Sequence, residues 1–173
     1  LTLRRAKPPQ LQQLTVYDRA GNVVKTVGDP GLYAGPAFSP DGTRLAVMRQ
    51  DVAAGQRDIW TFDVATGKGT RVTNDIEGKN NDMWSPDGRQ ILYDSRRGTY
   101  SGIYRRASDG TGAEELLFRY TPGAPVNLTD ISPDGRFLIC ASGGVVLVVP
   151  LTGSDPLART AIEFSREEFT VGN

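Results

Sequence analysis

The sequence has 173 residues, with 20 basic and 20 acidic side chains, no histidine and one cysteine. A neutral chain has no general field that would hold a polyanion, so we expect neither nucleic acid nor an anionic membrane surface as a partner. The absence of histidine and the single Cys140 exclude Ser-His-Asp triads, an intramolecular disulfide and multi-cysteine metal sites. We therefore expect no cofactor and no metal.

The predicted elements begin at Leu14. Residues 1–13 contain neither an initiator methionine nor the apolar segment of a signal peptide, and we interpret them as a linker or tail. Residues 14–27 have the pattern of a hairpin, with its turn at 20–22, and would form half of a four-stranded unit. The longest strongly apolar run, residues 145–150, has the length of a strand, so direct membrane insertion is not expected.

A tetrapeptide, Ser-Pro-Asp-Gly, occurs three times at spacings of 46 and 47 residues. Each copy precedes an apolar run that is typical of a strand. Proline fixes φ at the first central position of a type I turn, and glycine adopts the left-handed conformation that completes a bulged hairpin. We therefore interpret the three aspartates as turn residues rather than ligands or catalytic acids. The twelve turn residues are Ser39, Pro40, Asp41, Gly42, Ser85, Pro86, Asp87, Gly88, Ser132, Pro133, Asp134 and Gly135.

A second hairpin follows each of these turns, within residues 58–73, 102–118 and 145–164. Four short antiparallel strands in each period are typical of a β-propeller blade, and no segment has a sustained helical period. The predicted fold is all-β: a linker at 1–13 and a propeller segment at 14–173. The segment divides into a half blade at 14–35 and blades at 36–79, 80–125 and 126–173.

About three and a half blades fall short of a closed ring, since propellers use roughly four to eight. Two explanations remain open. The chain is part of a larger propeller, or a second copy pairs with it as a homodimer that completes a ring of about seven blades.

The repeated Ser-Pro-Asp-Gly turn, followed by Asp58-Ile-Trp60 or its variants, resembles the WD40-like repeat of TolB-type β-propellers. Similar repeats occur C-terminal to some bacterial serine/threonine kinases and in the propellers of oligopeptidases. The resemblance implies a non-catalytic protein-interaction, scaffolding or sensor propeller with an unidentified protein partner, and it favours a periplasmic or otherwise extracytoplasmic location. The alternatives are an accessory propeller of a larger enzyme, with its catalytic domain outside this chain, and a module that binds small ligands or carbohydrates.

Propeller geometry also predicts a binding face. The Ser-Pro-Asp-Gly turns and the second-hairpin turns should lie on one rim, and the remaining connections on the other, which is the usual binding face of similar proteins. Arginine and tyrosine are favoured contact residues at interfaces. Trp60 and Trp84 are expected to pack between blades, and Cys140 to be buried. The candidate partner-binding residues are Arg96, Arg97, Tyr100, Arg57, Asn81, Asp82 and Tyr33.

Overall fold

The computed structural model describes residues 10–74, 79–120, 126–153 and 155–165, and the side chains of all of these except 79–81 and 165. In this part of the chain thirteen strands form three antiparallel sheets, and within each sheet the strands pair in sequence order. No described helix is long and apolar enough to cross a membrane. The strands are β1 (Gln12–Tyr17), β2 (Val23–Phe38), β3 (Arg44–Gln50), β4 (Arg57–Asp63), β5 (Gly69–Arg71), β6 (Lys79–Trp84), β7 (Gln90–Arg97), β8 (Tyr100–Ala107), β9 (Glu115–Tyr120), β10 (Asn127–Ile131), β11 (Phe137–Ser142), β12 (Val145–Pro150) and β13 (Ile162–Ser165).

Each predicted repeat corresponds to one four-stranded blade. Blade 1 consists of β2–β5, blade 2 of β6–β9 and blade 3 of β10–β13, with β1 added to the edge of blade 1. The all-β propeller architecture is therefore confirmed.

Strand β2 joins the predicted half blade to blade 1 without a break. Its first part pairs with β1 and its second part with β3, so the hairpin at the start of the arc and the first full blade share one strand. The strand can change partners because Gly28 and Gly35 adopt positive φ angles of 66° and 62°. A Cβ atom at Gly28 would also stand 2.6 Å from the ring of Phe62, so only glycine fits there.

The serine hydroxyl closes each Ser-Pro-Asp-Gly turn. Ser39 Oγ donates to Asp41 Oδ1 at 2.5 Å and accepts the backbone N–H of the first residue of the next strand at 2.9 Å. Ser85 and Ser132 form the same pair of bonds. Hydrogen bonds from these serines lower the pKa of Asp41 and Asp134 to about 2, so both carboxylates are ionised at neutral pH and committed to their turns.

The core consists of apolar clusters between successive sheets. Trp84 is 7% exposed and packs among residues of blades 1 and 2, and its indole N–H donates to the Ala37 carbonyl at 3.0 Å. Cys140 is fully buried in the cluster between blades 2 and 3. Trp60 is half-buried against the cluster beneath the β1–β2 hairpin. The expected packing roles of Trp84 and Cys140 agree with these positions.

The last strand of blade 3 is shorter than expected. The hairpin expected within 145–164 contains little of this strand, because β13 begins only at Ile162. Asp155 starts a turn, since its carbonyl accepts the Ala158 N–H at 3.2 Å and its side chain accepts the Leu157 N–H at 2.9 Å. This local bonding competes with strand pairing, because a short polar side chain offers the backbone an alternative partner.

Candidate interaction surface

The two rims of the arc differ in their connections. The turn rim contains the Ser-Pro-Asp-Gly turns and the turn at 108–112. In that turn, the backbone carbonyl of Ser108 accepts a hydrogen bond from the hydroxyl of Thr61, on the adjacent blade, at 2.8 Å. The loop rim contains the connections at 51–56, 98–99 and 143–144. The last two are two-residue hairpins, and Gly98, Gly143 and Gly144 there have positive φ.

Three of the candidate partner-binding residues, Arg96, Arg97 and Tyr100, lie on two faces of blade 2. Arg97 pairs with Tyr100 across the β7–β8 ladder, and Arg96 pairs with Ser101. Directly paired residues share a face and neighbouring residues alternate, so Arg97 and Tyr100 lie on one face and Arg96 on the other. The face of Arg97 also contains Tyr104, which packs towards blade 1.

Arg97 lies in a hydrogen-bonded network rather than at a free tip. Its Nη2 donates to Glu114 Oε1 at 2.5 Å, and its guanidinium lies 5.0 Å from the centre of the Tyr104 ring. The Tyr93 hydroxyl donates to the other oxygen of Glu114. Burial, together with the neighbouring Tyr100, raises the pKa of Tyr104 to about 12, and burial also raises the pKa of Tyr93. This network fixes the side chain of Arg97 inside blade 2.

Tyr100 is covered by a second arginine. The guanidinium of Arg119 lies 4.3 Å from the centre of the Tyr100 ring, which is a close cation–π contact. Arg119 and Arg96 are exposed, and neither guanidinium has a carboxylate partner among the described residues. We call Arg96, Tyr100 and Arg119 the blade 2 tip. Tyr100 and Arg119 lie on one face of blade 2 at the loop rim, and Arg96 lies on the other face.

Asn81 and Asp82 lie within strand β6 rather than in a connection. The register shifts between Asn80 and Asp82, so Asn81 is the extra residue of a β-bulge. The bulge changes the direction of the next side chain, and Asp82 Oδ2 is buried without a hydrogen-bond partner in the described part of the chain. A Cβ atom at Gly35 would lie 3.9 Å from Asp82 Oδ1, which places the carboxyl beside the inner strand of blade 1. Burial raises the pKa of Asp82 to about 6.

The two remaining candidates lie on blade 1. Tyr33 is half-buried in β2, where its hydroxyl donates to the Asp29 carbonyl at 2.6 Å and its ring meets Phe62 edge-on at 6.1 Å. Arg57 is exposed at the start of β4 and pairs with Gln50 in the ladder. The structure thus groups Tyr33 with the core and leaves Arg57 as a separate exposed residue.

Sequence reasoning missed a tie between blades 1 and 2. Arg44 Nη1 donates to Ser108 Oγ at 2.7 Å and Nη2 to the Gly88 carbonyl at 2.6 Å, while the guanidinium lies 4.8 Å from the centre of the Trp84 ring. We call this contact region seam 1–2. The two partners of Arg44 lie 44 and 64 residues away along the chain. The sequence could have indicated Arg44 only through its place, two residues after the repeated turn.

The fold and its turns define a repeat β-propeller. The family model of the TolB beta propeller domain matches residues 7–148. The chain belongs to the TolB β-propeller domain family.

Three comparisons show how the chain relates to known proteins. An uncharacterized peptidase, YuxL, of Bacillus subtilis (strain 168) is 29% identical over 110 residues, which is 60% of this chain and 16% of that protein. The structure of TolB from Acinetobacter baumannii is 25% identical with a TM-score of 0.60, over 84% of this chain and 36% of TolB. A prolyl endopeptidase structure, 20% identical with a TM-score of 0.60 over 85% of this chain and 25% of that chain, shares the fold. The chain thus spans a minor part of each relative.

Proposed function

We propose that this chain is a protein-interaction propeller with no chemistry of its own, and that it binds acidic segments of a partner through the blade 2 tip. The observation that supports this most directly is that the loop rim of blade 2 presents Arg119 on the Tyr100 ring and an exposed Arg96 on the other face of the same strand pair. No described carboxylate is bound to either guanidinium. Arginine combines charge with a planar donor array that matches carboxylates, and tyrosine contributes rigid contact area.

The non-catalytic part of the proposal is supported by composition. The sequence has no histidine to act as a general base near neutral pH. The described aspartates of the turns are bound by their own serines and backbone, so they are not free to transfer protons.

Binding of a labelled acidic peptide, such as a glutamate-rich decapeptide, tests the partner chemistry by fluorescence anisotropy. We expect Arg96→Glu/Arg119→Glu to weaken binding by about tenfold or more and added salt to weaken it further, because exposed charge pairs are screened. Arg57→Glu is the matched control, since it reverses an exposed arginine on blade 1. Equal losses in the control and the tip variant would contradict the proposed location, and an affinity independent of all three arginines would contradict the proposed chemistry.

A second candidate is an accessory propeller of a larger peptidase. It is favoured by the 29% identity to the YuxL peptidase, of which this chain covers 16%. Hydrolysis of chromogenic peptide substrates by the full-length gene product, with none by residues 1–173 alone, would support this candidate. Turnover by residues 1–173 that survives repurification would contradict both.

A further inference from the structure

The boundary between blades 2 and 3, which we call seam 2–3, contains a cavity on the turn rim. Its volume is about 280 Å³, and it opens to solvent. Its apolar side chains come from both blades: Leu92 and Leu117 from blade 2, and Ile131 and Leu151 from blade 3. Both blades belong to this chain, so all of the described lining comes from this chain.

Seam 2–3 repeats the backbone of seam 1–2 with different side chains. The backbone N–H of Ser108 donates to the Arg89 carbonyl, and that of Leu151 donates to the Arg136 carbonyl, so Ser108 and Leu151 occupy equivalent positions. Gln90 and Arg44 each lie two residues after a Ser-Pro-Asp-Gly turn, so Gln90 is the equivalent of Arg44 in seam 2–3.

Two further equivalences complete the comparison. Gly135 corresponds to Gly88 in the repeated turn, and Ile131 corresponds to Trp84 before it. Seam 2–3 therefore has Leu151 in place of Ser108, Ile131 in place of Trp84 and Gln90 in place of Arg44. This loss of volume and charge accounts for the cavity, because a packed interior leaves few voids of this size.

Two described arginines near seam 2–3 are already bound elsewhere. Arg159 donates to the carbonyls of Leu117, Leu151 and Gly153, and so ties the outer side of the seam. Arg105, which lines the cavity, forms two hydrogen bonds to Glu115 at 2.8 and 3.0 Å.

Acceptors remain at the mouth of the cavity. Asp87 and Asp134 line it, and serine hydroxyls hold the pKa of both carboxyls below the usual range, so both are negative at neutral pH. Two arginines offset part of this charge. Arg136 Nε donates to Asp134 at 2.7 Å, and the nearby charge of Arg89 contributes to the lowered pKa of Asp87. No described side chain donates to the Gly135 carbonyl, whereas its equivalent in seam 1–2 accepts a guanidinium N–H.

We propose that the seam 2–3 cavity is a second binding site, which takes an arginine side chain presented by a partner peptide. The incoming guanidinium occupies the place that Arg44 fills in seam 1–2, facing the Gly135 carbonyl and the Asp87 carboxylate. Its methylene stem packs on Leu117, Ile131 and Leu151, since arginine stems cover apolar surface while the charged head keeps polar partners. This site is on the opposite rim from the blade 2 tip and selects the opposite charge.

Titration of the ¹⁵N-labelled chain with a capped arginine, N-acetyl-arginine N-methylamide, tests the site by NMR. We expect saturable shifts centred on the amides of Gln90, Gly135 and Leu151. Capped norleucine, which has an apolar side chain and no charge, and capped lysine should bind at least about tenfold more weakly, because neither presents a planar donor array. Shifts spread over the whole surface, or equal binding of the three probes, would overturn the proposal.

Variants that fill the cavity provide the matched controls. Gln90→Arg/Leu151→Ser rebuilds the Arg44 and Ser108 arrangement of seam 1–2 within seam 2–3, and should weaken binding of capped arginine by about tenfold or more. Ile131→Trp fills the same space with an indole and should also weaken binding of capped arginine by about tenfold or more. This single variant still tests the site if the double variant does not fold. A dispersed NMR spectrum checks the fold of each. Unchanged binding by either folded variant would overturn the assignment of the site.

Discussion

Seams 1–2 and 2–3 share one backbone plan and are packed differently. In seam 1–2, Arg44 bonds to two groups of the neighbouring blade and lies on the ring of Trp84. In seam 2–3, Gln90 and Ile131 replace them, and a cavity of about 280 Å³ is left. The difference shows that the repeated turn and ladder can preserve the blade while the side chains between blades diverge. One seam is stabilised by its packing, and the other retains space for a ligand.

The largest expected effect is at Trp84. Trp84→Ala should lower the free energy of unfolding by about 3–5 kcal/mol, because it removes a large buried side chain and its hydrogen bond to Ala37. Ile131→Ala, at the equivalent position beside an existing cavity, should cost about 1 kcal/mol. Urea unfolding of both variants checks this, and similar losses would show that the two seams are equally packed.

Arg44 is expected to have the next largest effect. Arg44→Gln removes two charge-assisted hydrogen bonds and a cation–π contact, and should cost about 2–3 kcal/mol. Gln90→Ala removes no side-chain hydrogen bond of the described residues and should change stability by less than about 0.5 kcal/mol. Thermal unfolding of the two variants measures both losses of stability. A larger loss for Gln90→Ala than for Arg44→Gln would contradict the proposed difference between the seams.

Asp82 should make the stability of seam 1–2 depend on pH. Its folded pKa is raised to about 6, whereas an unfolded aspartate has a pKa of about 3.9, so the folded state holds its proton to higher pH. Stability should therefore fall as the pH rises from about 4 to about 6. Asp82→Asn should remove this fall and stabilise the chain by about 1–2 kcal/mol at pH 8.

Thr129 also lies three residues before its repeated serine, but in blade 3 it is the extra residue of the β-bulge and is exposed. Thr129→Ala is the control for Asp82→Asn and should leave the pH dependence of urea unfolding unchanged. A pH profile of Asp82→Asn parallel to that of the unaltered chain would exclude Asp82 as its source.

The smallest effects are expected in the turns, where the two seams should agree. Ser85→Ala and Ser132→Ala each remove the hydroxyl that joins the aspartate to the next strand, and each should cost about 1 kcal/mol. Differential scanning calorimetry can compare them. A cost confined to one turn would mean that the repeated tetrapeptide has different roles in the two blades.

The blades were predictable because their determinants are local. Three Ser-Pro-Asp-Gly turns with apolar runs after them specify hairpins within a few residues, and the structure has a hairpin at each. The placement of Arg96 and Arg97 on opposite faces could also have been predicted, because neighbouring residues of a strand alternate between faces.

The seams could not be predicted in the same way. Arg44 finds its partners on another blade, and whether an arginine there bonds across the seam depends on residues tens of positions away. The late start of β13 depends on the turn at Asp155 and on the hydrogen bonds from Arg159 to backbone carbonyls. The joining of β1 to blade 1 depends on how Gly28 fits against Phe62. These outcomes follow from packing in three dimensions rather than from sequence periodicity.

Cys140 gives the chain an internal reporter of how its blades separate. It is the one cysteine of the sequence, and its thiol lies fully buried between blades 2 and 3, where burial raises its pKa to about 11. A disulfide reagent can reach this thiol only when seam 2–3 opens, so the labelling rate of the native protein measures that opening directly. A ligand seated across the two blades would have to slow the reaction, so occupancy of the seam becomes visible as chemical protection of Cys140 without a label on the ligand.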